Sequence, residues 1–291
     1  MKATLAYLHF KTLDSTHLWC KRELTTVSKY LEDAQCLLVT CDKQTAGIGR
    51  RGSAWKTGAL HLSLELCFEL PALLPASLSL CIADALAQYL QSKSIPAKLK
   101  WPNDIWTSRG KIAGLILETV SSNSKSICLL GLGLNISDPL QIDEETSEIP
   151  SIDQPVDYAL RYLVEPPSLE LMALEIAQHL LKAIESQELT PIDVSVFMRG
   201  AWTCPGARTE AILEEGHIEG IIVGFDLQGD MILRTSHGEE KRLRSGSCKK
   251  VRVLEPPKAL PGHSILPTAI SAASCVATQT TTRDPIFTKE P

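Results

Sequence analysis

The chain has 291 residues, of which 44% are hydrophobic and 22% charged, and its formal net charge is −5. These values are typical of a globular protein with one large and one small domain, and they argue against nucleic-acid binding through overall positive charge. Its longest apolar run, residues 127–134, is far shorter than the ~18 residues of a membrane span, and Lys11 comes too early for a signal peptide. Nine cysteines without a Cys-x-x-Cys pair argue against a zinc site or a disulfide framework. We therefore expect a cytoplasmic protein with free thiols and no resident metal.

The first third of the chain predicts three strands and one helix, in the order strand 4–13, helix 14–30, strand 36–41 and strand 60–70. Ser15 and Thr16 offer hydroxyl groups for the N-cap of the helix. In 60–70 every second residue is large and apolar and the others are polar or small. This period of two predicts a strand buried on one face only.

The loop between the second and third strands combines glycines with cations. It contains Gly47, Gly49, Arg50, Arg51, Gly52 and Lys56, and no acidic residue. Glycine allows a close backbone approach and guanidinium groups match phosphate or carboxylate oxygens, so the loop predicts an anion site. Its glycine spacing matches a dinucleotide fingerprint, but a strand follows instead of a helix, which excludes a Rossmann site. A solvated basic turn is the alternative.

The remaining chain first mixes helices and strands and then contains only short strands. The mixed part comprises helix 76–92, strand 97–101, a turn at 102–104, strands 111–120 and 126–136, and helix 168–186. After residue 202 come four short strands separated by turn residues, at 208–213, 220–225, 231–235 and 240–244. This order predicts an α+β domain over 1–200 and a small β-barrel or meander over 201–255. We expect a solvated acidic loop over 138–157 and a disordered tail over 256–291.

Three further clusters carry candidate functional groups. They are Asp14-Ser15-Thr16-His17, Lys100-Trp101-Pro102-Asn103-Asp104 with Lys111 downstream, and Gly131-Leu132-Gly133-Leu134-Asn135. Pro102 fixes a turn that displays Asn103 and Asp104, and two glycines on one face of a strand leave a flat floor for a ligand. A helix cap, a plain turn and tight packing against a helix are the respective alternatives.

In this order the clusters resemble the motifs of biotin–protein ligases, and the resemblance extends over about 4–254. It implies a catalytic domain of the class II aminoacyl-tRNA synthetase-like type, shared by biotin and lipoate ligases, followed by an SH3-like barrel. The implied reaction has two steps. Biotin attacks the α-phosphate of Mg-ATP to give biotinyl-5′-AMP, and a lysine of a biotin carboxyl carrier domain, an acetyl-CoA carboxylase subunit, then takes the biotin.

The resemblance also implies roles for single residues. The catalytic residues would be Arg50, Lys111 and Asp104, with Arg50 on the adenylate phosphate and Lys111 between carboxylate and phosphate. The biotin site would comprise Ser15, Thr16, His17, Gln44, Gly47, Ile48, Gly49, Arg50, Lys111, Gly131 and Gly133. The nucleotide site would comprise Arg50, Arg51, Trp55, Asn103 and Asn135, with Trp55 stacked on adenine. Mg²⁺ would arrive with ATP, and no protein-bound metal is expected.

Three residues depart from the family pattern: Ile48 stands where Arg or Lys is usual, His17 replaces Asn, and Ser53 replaces a frequent Arg. The Asp-Ser-Thr corner begins at residue 14, which leaves no room for a preceding DNA-binding domain, so we expect no nucleic-acid partner. Because the apolar runs are short, we expect no membrane partner either. A lipoyl or octanoyl ligase or transferase of the same superfold is one alternative. A non-catalytic biotin-binding module is another, for which Ile48 is the hint.

Overall fold

The computed structural model describes residues 3–55, 60–69, 77–122, 125–137, 155–165, 168–185, 201–256 and 286–287. The elements within these ranges are β1 (Ala3–Leu13), α1 (Thr16–Arg22), α2 (Leu24–Asp33), β2 (Ala34–Gln44), β3 (Leu60–Glu69), α3 (Leu78–Ser92), β4 (Lys98–Lys100), β5 (Asp104–Thr107), β6 (Gly110–Ser122), β7 (Lys125–Ser137), α4 (Leu169–Glu185), β8 (Arg208–Ile212), β9 (His217–Phe225), β10 (Met231–Arg234), β11 (Glu240–Leu243), β12 (Lys250–Glu255) and β13 (Ile286–Phe287). None of these helices is long and apolar enough to cross a membrane.

The first sheet has the strand order β13-β1-β2-β3-β7-β6-β5-β4. β1 is parallel to both of its neighbours, and the other pairs are antiparallel. β13 comes from the segment 256–291, for which the sequence predicts disorder. Between Pro256 and β13, and after β13, that segment lies outside the described residues.

Helices cover both faces of this sheet. α3 and α4 share one hydrophobic core with its first face, and α1 and α2 form a smaller core on the second. β3 is therefore buried on both sides, and the prediction of a half-buried strand is wrong. Leu64 packs in the first core, while Ser63 and Glu65 point to the other face and are 2% and 0% exposed. The alternating polar residues of β3 do face a different side of the sheet, but protein covers that side instead of water.

Two predicted helices differ in detail from those observed. The stretch 14–30 forms two helices, because the backbone leaves helical geometry at Glu23 (φ −98°, ψ 33°). Ser15 is the N-cap of the first, as predicted, and its side chain accepts from the Leu18 amide at 3.5 Å. The predicted helix 168–186 is observed as α4, whose buried stripe runs through Met172, Ile176 and Leu180, while Leu171 is 56% exposed.

The remaining strands form a second, antiparallel sheet in the order β11-β10-β9-β8-β12. β12 was not among the predicted strands, although its alternation of charged and apolar residues is typical of one. The sheet joins the first core and is hydrogen bonded to the end of β4, where the Trp101 indole donates to the Gly229 carbonyl at 2.8 Å. The closed SH3-like barrel and the domain boundaries stay predictions.

The acidic stretch and the Pro102 turn also differ from expectation. Of residues 138–157 the structure describes only Pro155, Val156 and Asp157, and the rest of the stretch lies outside the described residues. Asp157 is fully buried, so the prediction of a solvated loop is wrong at this residue. The Asp157 amide donates to the Lys111 carbonyl at 2.9 Å, which attaches this segment to β6. Asp104 does not stay in the turn but begins β5, a strand that was not predicted.

Candidate active site

Small residues on three neighbouring strands form the floor of the site. On the face that carries α1, strand register aligns Gly114, Gly133 and Ser63 in one row across β6, β7 and β3. The next row along the strands contains Gly131 and Glu65. Two residues along a strand correspond to ~7 Å, so the two rows are about one side-chain length apart.

A hairpin formed by the glycine-rich loop lies against this floor. Trp55 N donates to the Gly47 carbonyl at 2.8 Å, and the Ser53 amide donates to the Arg50 carbonyl at 3.1 Å. Arg51 and Gly52 have positive φ angles of 58° and 74°. Two positive φ angles in succession are typical of a type I′ hairpin turn, which explains why glycine is needed at 52.

Trp55 reaches from the hairpin onto the glycine floor. A Cβ atom at Gly133 would lie 2.4 Å from its indole, and one at Gly114 would lie 3.3 Å away. The glycines therefore make room for this ring. The Lys111 ammonium lies beside it, 5.3 Å from the ring centroid and 2.7 Å from Asp104 Oδ1.

Lys111 is held in place through its backbone. Its amide donates to the Pro155 carbonyl at 2.8 Å, and its carbonyl accepts from Asn135 Nδ2 at 3.2 Å. Asn135 is 8% exposed and its amide supports Lys111 from the adjacent strand. The structure thus places Asn135 behind the lysine, not at the surface of the pocket.

Arg50 bridges the hairpin to both sheets. Its guanidinium donates to Asn103 Oδ1 at 2.8 Å and to the Ser245 carbonyl at 2.5 Å. Asn103 is itself anchored, since its side-chain amide donates to the Leu115 carbonyl. Burial lowers the pKa of Arg50, but a guanidinium stays charged at any physiological pH. Arg51 pairs instead with Glu214, in the turn between β8 and β9.

The N-terminus of α1 is tied to the floor through one amide. Gln44 Oε1 accepts from the Thr16 amide at 2.9 Å, and Gln44 Nε2 donates to Ser63 Oγ at 2.9 Å. Gly47 lies against this amide, because a Cβ there would be 3.0 Å from Gln44 Nε2. The predicted biotin residues Thr16, Gln44 and Gly47 therefore meet in one place.

A network of ion pairs, buried at His17 and Glu65, closes the other end of the floor. His17 Nδ1 lies 2.9 Å from Glu65 Oε1, and His17 Nε2 lies 3.1 Å from Glu118 Oε2. Lys21 pairs with the second oxygen of Glu118 at 2.7 Å. Burial lowers the pKa of His17, but hydrogen bonds and charge from both glutamates raise it overall. Burial raises the pKa of Glu65, which His17 opposes.

These groups surround one pocket and border a second groove. A cavity of about 50 Å³ is lined by the floor, the hairpin and α1, and among the predicted residues by Ser15, Thr16, His17, Gln44, Ile48, Gly49, Arg50, Trp55, Asn103, Lys111, Gly131 and Gly133. Beside it a groove of about 700 Å³ runs to the second sheet and is lined by Arg50, Arg51, Trp55, Asn103, Asp104 and Lys111, together with Lys249, Lys250 and Arg252. Small-molecule sites usually measure ~300–1,000 Å³, and the first cavity is much smaller. The Trp55 indole occupies part of its floor at Gly133.

Comparison with known proteins shows which family the chain belongs to. Residues 21–135 match the model of the biotin/lipoate A/B protein ligase family. The chain is 31% identical over 214 residues to the biotin–[acetyl-CoA-carboxylase] ligase of Paracoccus denitrificans, an alignment that covers 69% of this chain and 85% of that protein. The chain belongs to the biotin–protein ligase family.

Other members of this family differ in length from the chain. The bifunctional ligase/repressor BirA of Bacillus spizizenii is 27% identical over 218 residues, which are 70% of this chain and 63% of that protein. The chain thus matches less than two thirds of the length of this relative. The biotin protein ligase of Aquifex aeolicus, solved in complex with biotin and ATP, has the same fold, with a TM-score of 0.63 at 23% identity over 86% of this chain and 99% of that one.

Departures from the biotin–protein ligase pattern have identifiable structural places. Ile48 forms a bridge with Ala54 inside the hairpin. The Ser53 hydroxyl donates to the Arg50 carbonyl at 2.9 Å and stabilises the turn. His17 is the centre of the ion-pair network with Glu65 and Glu118. Sequence reasoning missed Glu65 because a single glutamate at an alternate strand position is typical of a solvent-facing residue. It also missed Lys249, Lys250 and Arg252, whose clustering was the available signal.

Proposed function

We propose that this chain is a biotin–protein ligase that activates biotin with ATP and transfers it to a carrier lysine. In the first step a biotin carboxylate oxygen bonds to the α-phosphorus of ATP and pyrophosphate leaves, giving biotinyl-5′-AMP. In the second step the lysine amine attacks the acyl carbon and AMP leaves. The amine loses its surplus proton, and an amide remains.

The observation that carries this proposal is the convergence of Arg50 and Lys111 on one pocket. They come from the hairpin and from a central strand, and both line the cavity above the glycine floor. The first step brings two anions together, so two fixed cations favour it by lowering their repulsion and by stabilising the developing negative charge. Asp104 holds the Lys111 ammonium at 2.7 Å and thereby orients it.

The large groove supports ATP as the second substrate. Its volume of about 700 Å³ suits a nucleotide, and both sheets contribute cations to its walls. Within the described residues no group of three His, Cys, Asp or Glu side chains could hold a metal by itself. We propose that Asp104 and Asn103, which line this groove, would help to hold Mg²⁺ bound with ATP, and that the ion would neutralise phosphate charge.

The hairpin would retain the reactive intermediate. Trp55 and Arg50 lie between the pocket and the groove, so biotinyl-AMP would be covered on the side from which water approaches. Trp55 lies on Gly133 in this structure, and biotin can occupy that floor only after the indole moves. Stacking of Trp55 on adenine, and the roles of Arg51 and Asn135 toward the nucleotide, stay predictions.

One experiment tests the proposed function. The full chain is incubated with labelled biotin, Mg-ATP and a biotin carboxyl carrier domain of acetyl-CoA carboxylase, and label on the carrier lysine is measured. Transfer that needs both ATP and biotin supports the proposal. Exchange of pyrophosphate into ATP that depends on lipoate and not on biotin would identify a lipoyl ligase, and biotin binding without ATP consumption would identify a non-catalytic module.

A further inference from the structure

One oxygen of a fully buried carboxylate has no protein partner. Glu65 is 0% exposed, and its Oε1 is bonded to His17. Its Oε2 has no hydrogen-bond partner in the structure. A buried carboxylate oxygen is a strong acceptor, and leaving one unpaired is unfavourable. This arrangement therefore calls for a donor that the protein itself does not supply.

The unpaired oxygen lies at the floor of the pocket. A Cβ atom at Gly131 would be 2.8 Å from Glu65 Oε2, and Glu65 and His17 both line the cavity. Glycine at 131 thus leaves space beside the carboxylate. A ligand atom that entered along the floor past Gly133 would reach this oxygen next.

The contacts of His17 define the charge of Glu65. Both ring nitrogens face carboxylate oxygens, Glu65 Oε1 at 2.9 Å and Glu118 Oε2 at 3.1 Å. In an ion pair with both carboxylates each ring nitrogen donates and the imidazole is protonated, and the raised pKa of His17 agrees with that form. Burial raises the pKa of Glu65, and the adjacent imidazolium opposes this shift by favouring the carboxylate. As a carboxylate, Glu65 offers Oε2 as an acceptor.

The pocket thus has a cation at one end and an acceptor at the other. Lys111 lies above Gly114, in the first row of the floor, and Glu65 lies above Gly131, in the second. The rows are ~7 Å apart along the strands. An elongated acid would place its carboxylate at Lys111 and its distal end at Glu65.

We propose that Glu65 is a specificity-determining residue that accepts a hydrogen bond from a ring N–H at the distal end of the acyl substrate. This inference rests on the proposed function, because it concerns the acid that the same pocket activates. The ureido ring of biotin carries two N–H donors, whereas a dithiolane ring and an alkyl chain carry none. Glu65 would therefore favour biotin over lipoate and octanoate, which would leave the buried carboxylate unpaired.

The test compares biotin with its two mono-N-methyl derivatives in ATP–pyrophosphate exchange. Losing one hydrogen bond to a charged acceptor should lower kcat/KM by about 10- to 100-fold for at least one derivative with the wild-type chain. Glu65→Met removes both oxygens at similar side-chain length, and should reduce that ratio to within a few-fold of one. Glu69→Met is the matched control, since it is the same substitution four residues along β3 at a glutamate that pairs with Lys125, and it should keep the wild-type ratio.

The possible outcomes separate the two proposals. If the wild-type chain shows no biotin-dependent exchange, the proposed function fails and the role of Glu65 fails with it. If biotin is used but the Glu65→Met chain keeps the full ratio, the methyl group is excluded by shape alone and only the role of Glu65 is overturned. Should Glu65→Met not fold, Glu65→Leu, which also lacks an acceptor, replaces it. Equal use of biotin and both derivatives by the wild-type chain would also refute the inference without any variant.

Discussion

The two ends of the pocket are constructed in different ways. At the cationic end Arg50 comes from a hairpin and Lys111 from the start of β6, and their partners include Ser245, which lies between β11 and β12. At the acidic end His17 and Glu65 lie on α1 and β3 and are 3% and 0% exposed. The cationic end includes a loop residue and is only partly buried, whereas the acidic end is buried between α1 and β3. We expect changes at the first to alter chemistry and changes at the second to alter both selectivity and stability.

The largest effect is expected at the cationic end, from Lys111→Ala. Removing one preorganised charge from a site of acyl activation should lower the adenylation rate by about 10²–10³-fold, measured as biotin-dependent pyrophosphate exchange. Lys29→Ala, at an exposed position on α2, is the control and should leave the rate unchanged. An unaltered rate in the Lys111→Ala chain would remove this lysine from the mechanism.

Arg50→Ala should act mainly on retention of the intermediate. Loss of a guanidinium contact to the phosphate should speed the release of biotinyl-AMP by about 10- to 100-fold. The release is followed by retention of labelled biotinyl-AMP on the protein after gel filtration. Arg234→Ala, an exposed arginine paired with Glu240, serves as control. Retention equal to that of the wild-type chain would contradict a clamp at Arg50.

Gly131→Ala tests the packing of the acidic end. Its Cβ would lie 2.8 Å from Glu65 Oε2, and overpacking of this kind lowers the free energy of unfolding by about 1–3 kcal/mol. In the double variant Gly131→Ala/Glu65→Ala the contact is absent, so the penalty of the glycine substitution should be smaller in that background. Denaturant unfolding of the four chains of the cycle measures the difference. Equal penalties in both backgrounds would show that Glu65 does not need this glycine.

The smallest effect is a pH dependence of stability from His17. Its pKa in the folded chain is raised, so its contribution is fully present below the unfolded value of about 6.5 and is lost as the pH rises through the folded value. Above about pH 6.5 the wild-type chain should therefore lose stability relative to the double variant His17→Gln/Glu65→Gln, which lacks both titrations. Parallel curves between pH 6 and 9 in urea unfolding would contradict an imidazolium at His17.

The sequence predicted the cationic end of the pocket better than the acidic end, because the two ends contain residues of different chemistry. Cations and glycines in a loop, and an amide beside a carboxylate after proline, indicate a site because loops expose them, and the structure brings Arg50, Asn103 and Lys111 together. Glu65 could not be predicted in the same way. Its burial depends on α1 packing over β3, which is a tertiary contact without a local sequence signal.

The same reasoning applies to the fold. Period-two and helical patterns predicted most strands and helices because each buries one defined face. They did not predict the break at Glu23 or strand β5, since both depend on how neighbouring elements pack. The glycines at 131 and 133 were interpreted as a ligand floor, and the structure adds that Glu65 and Trp55 already use the space they leave.

A crystal structure with biotin and a non-hydrolysable ATP analogue would show directly how the pocket holds its substrates. We expect the biotin carboxylate beside Lys111 and Arg50, a ureido N–H hydrogen bonded to Glu65 Oε2, and the Trp55 indole displaced from Gly133. Biotin bound outside this pocket, or bound with its carboxylate toward Glu65, would contradict the proposed binding mode.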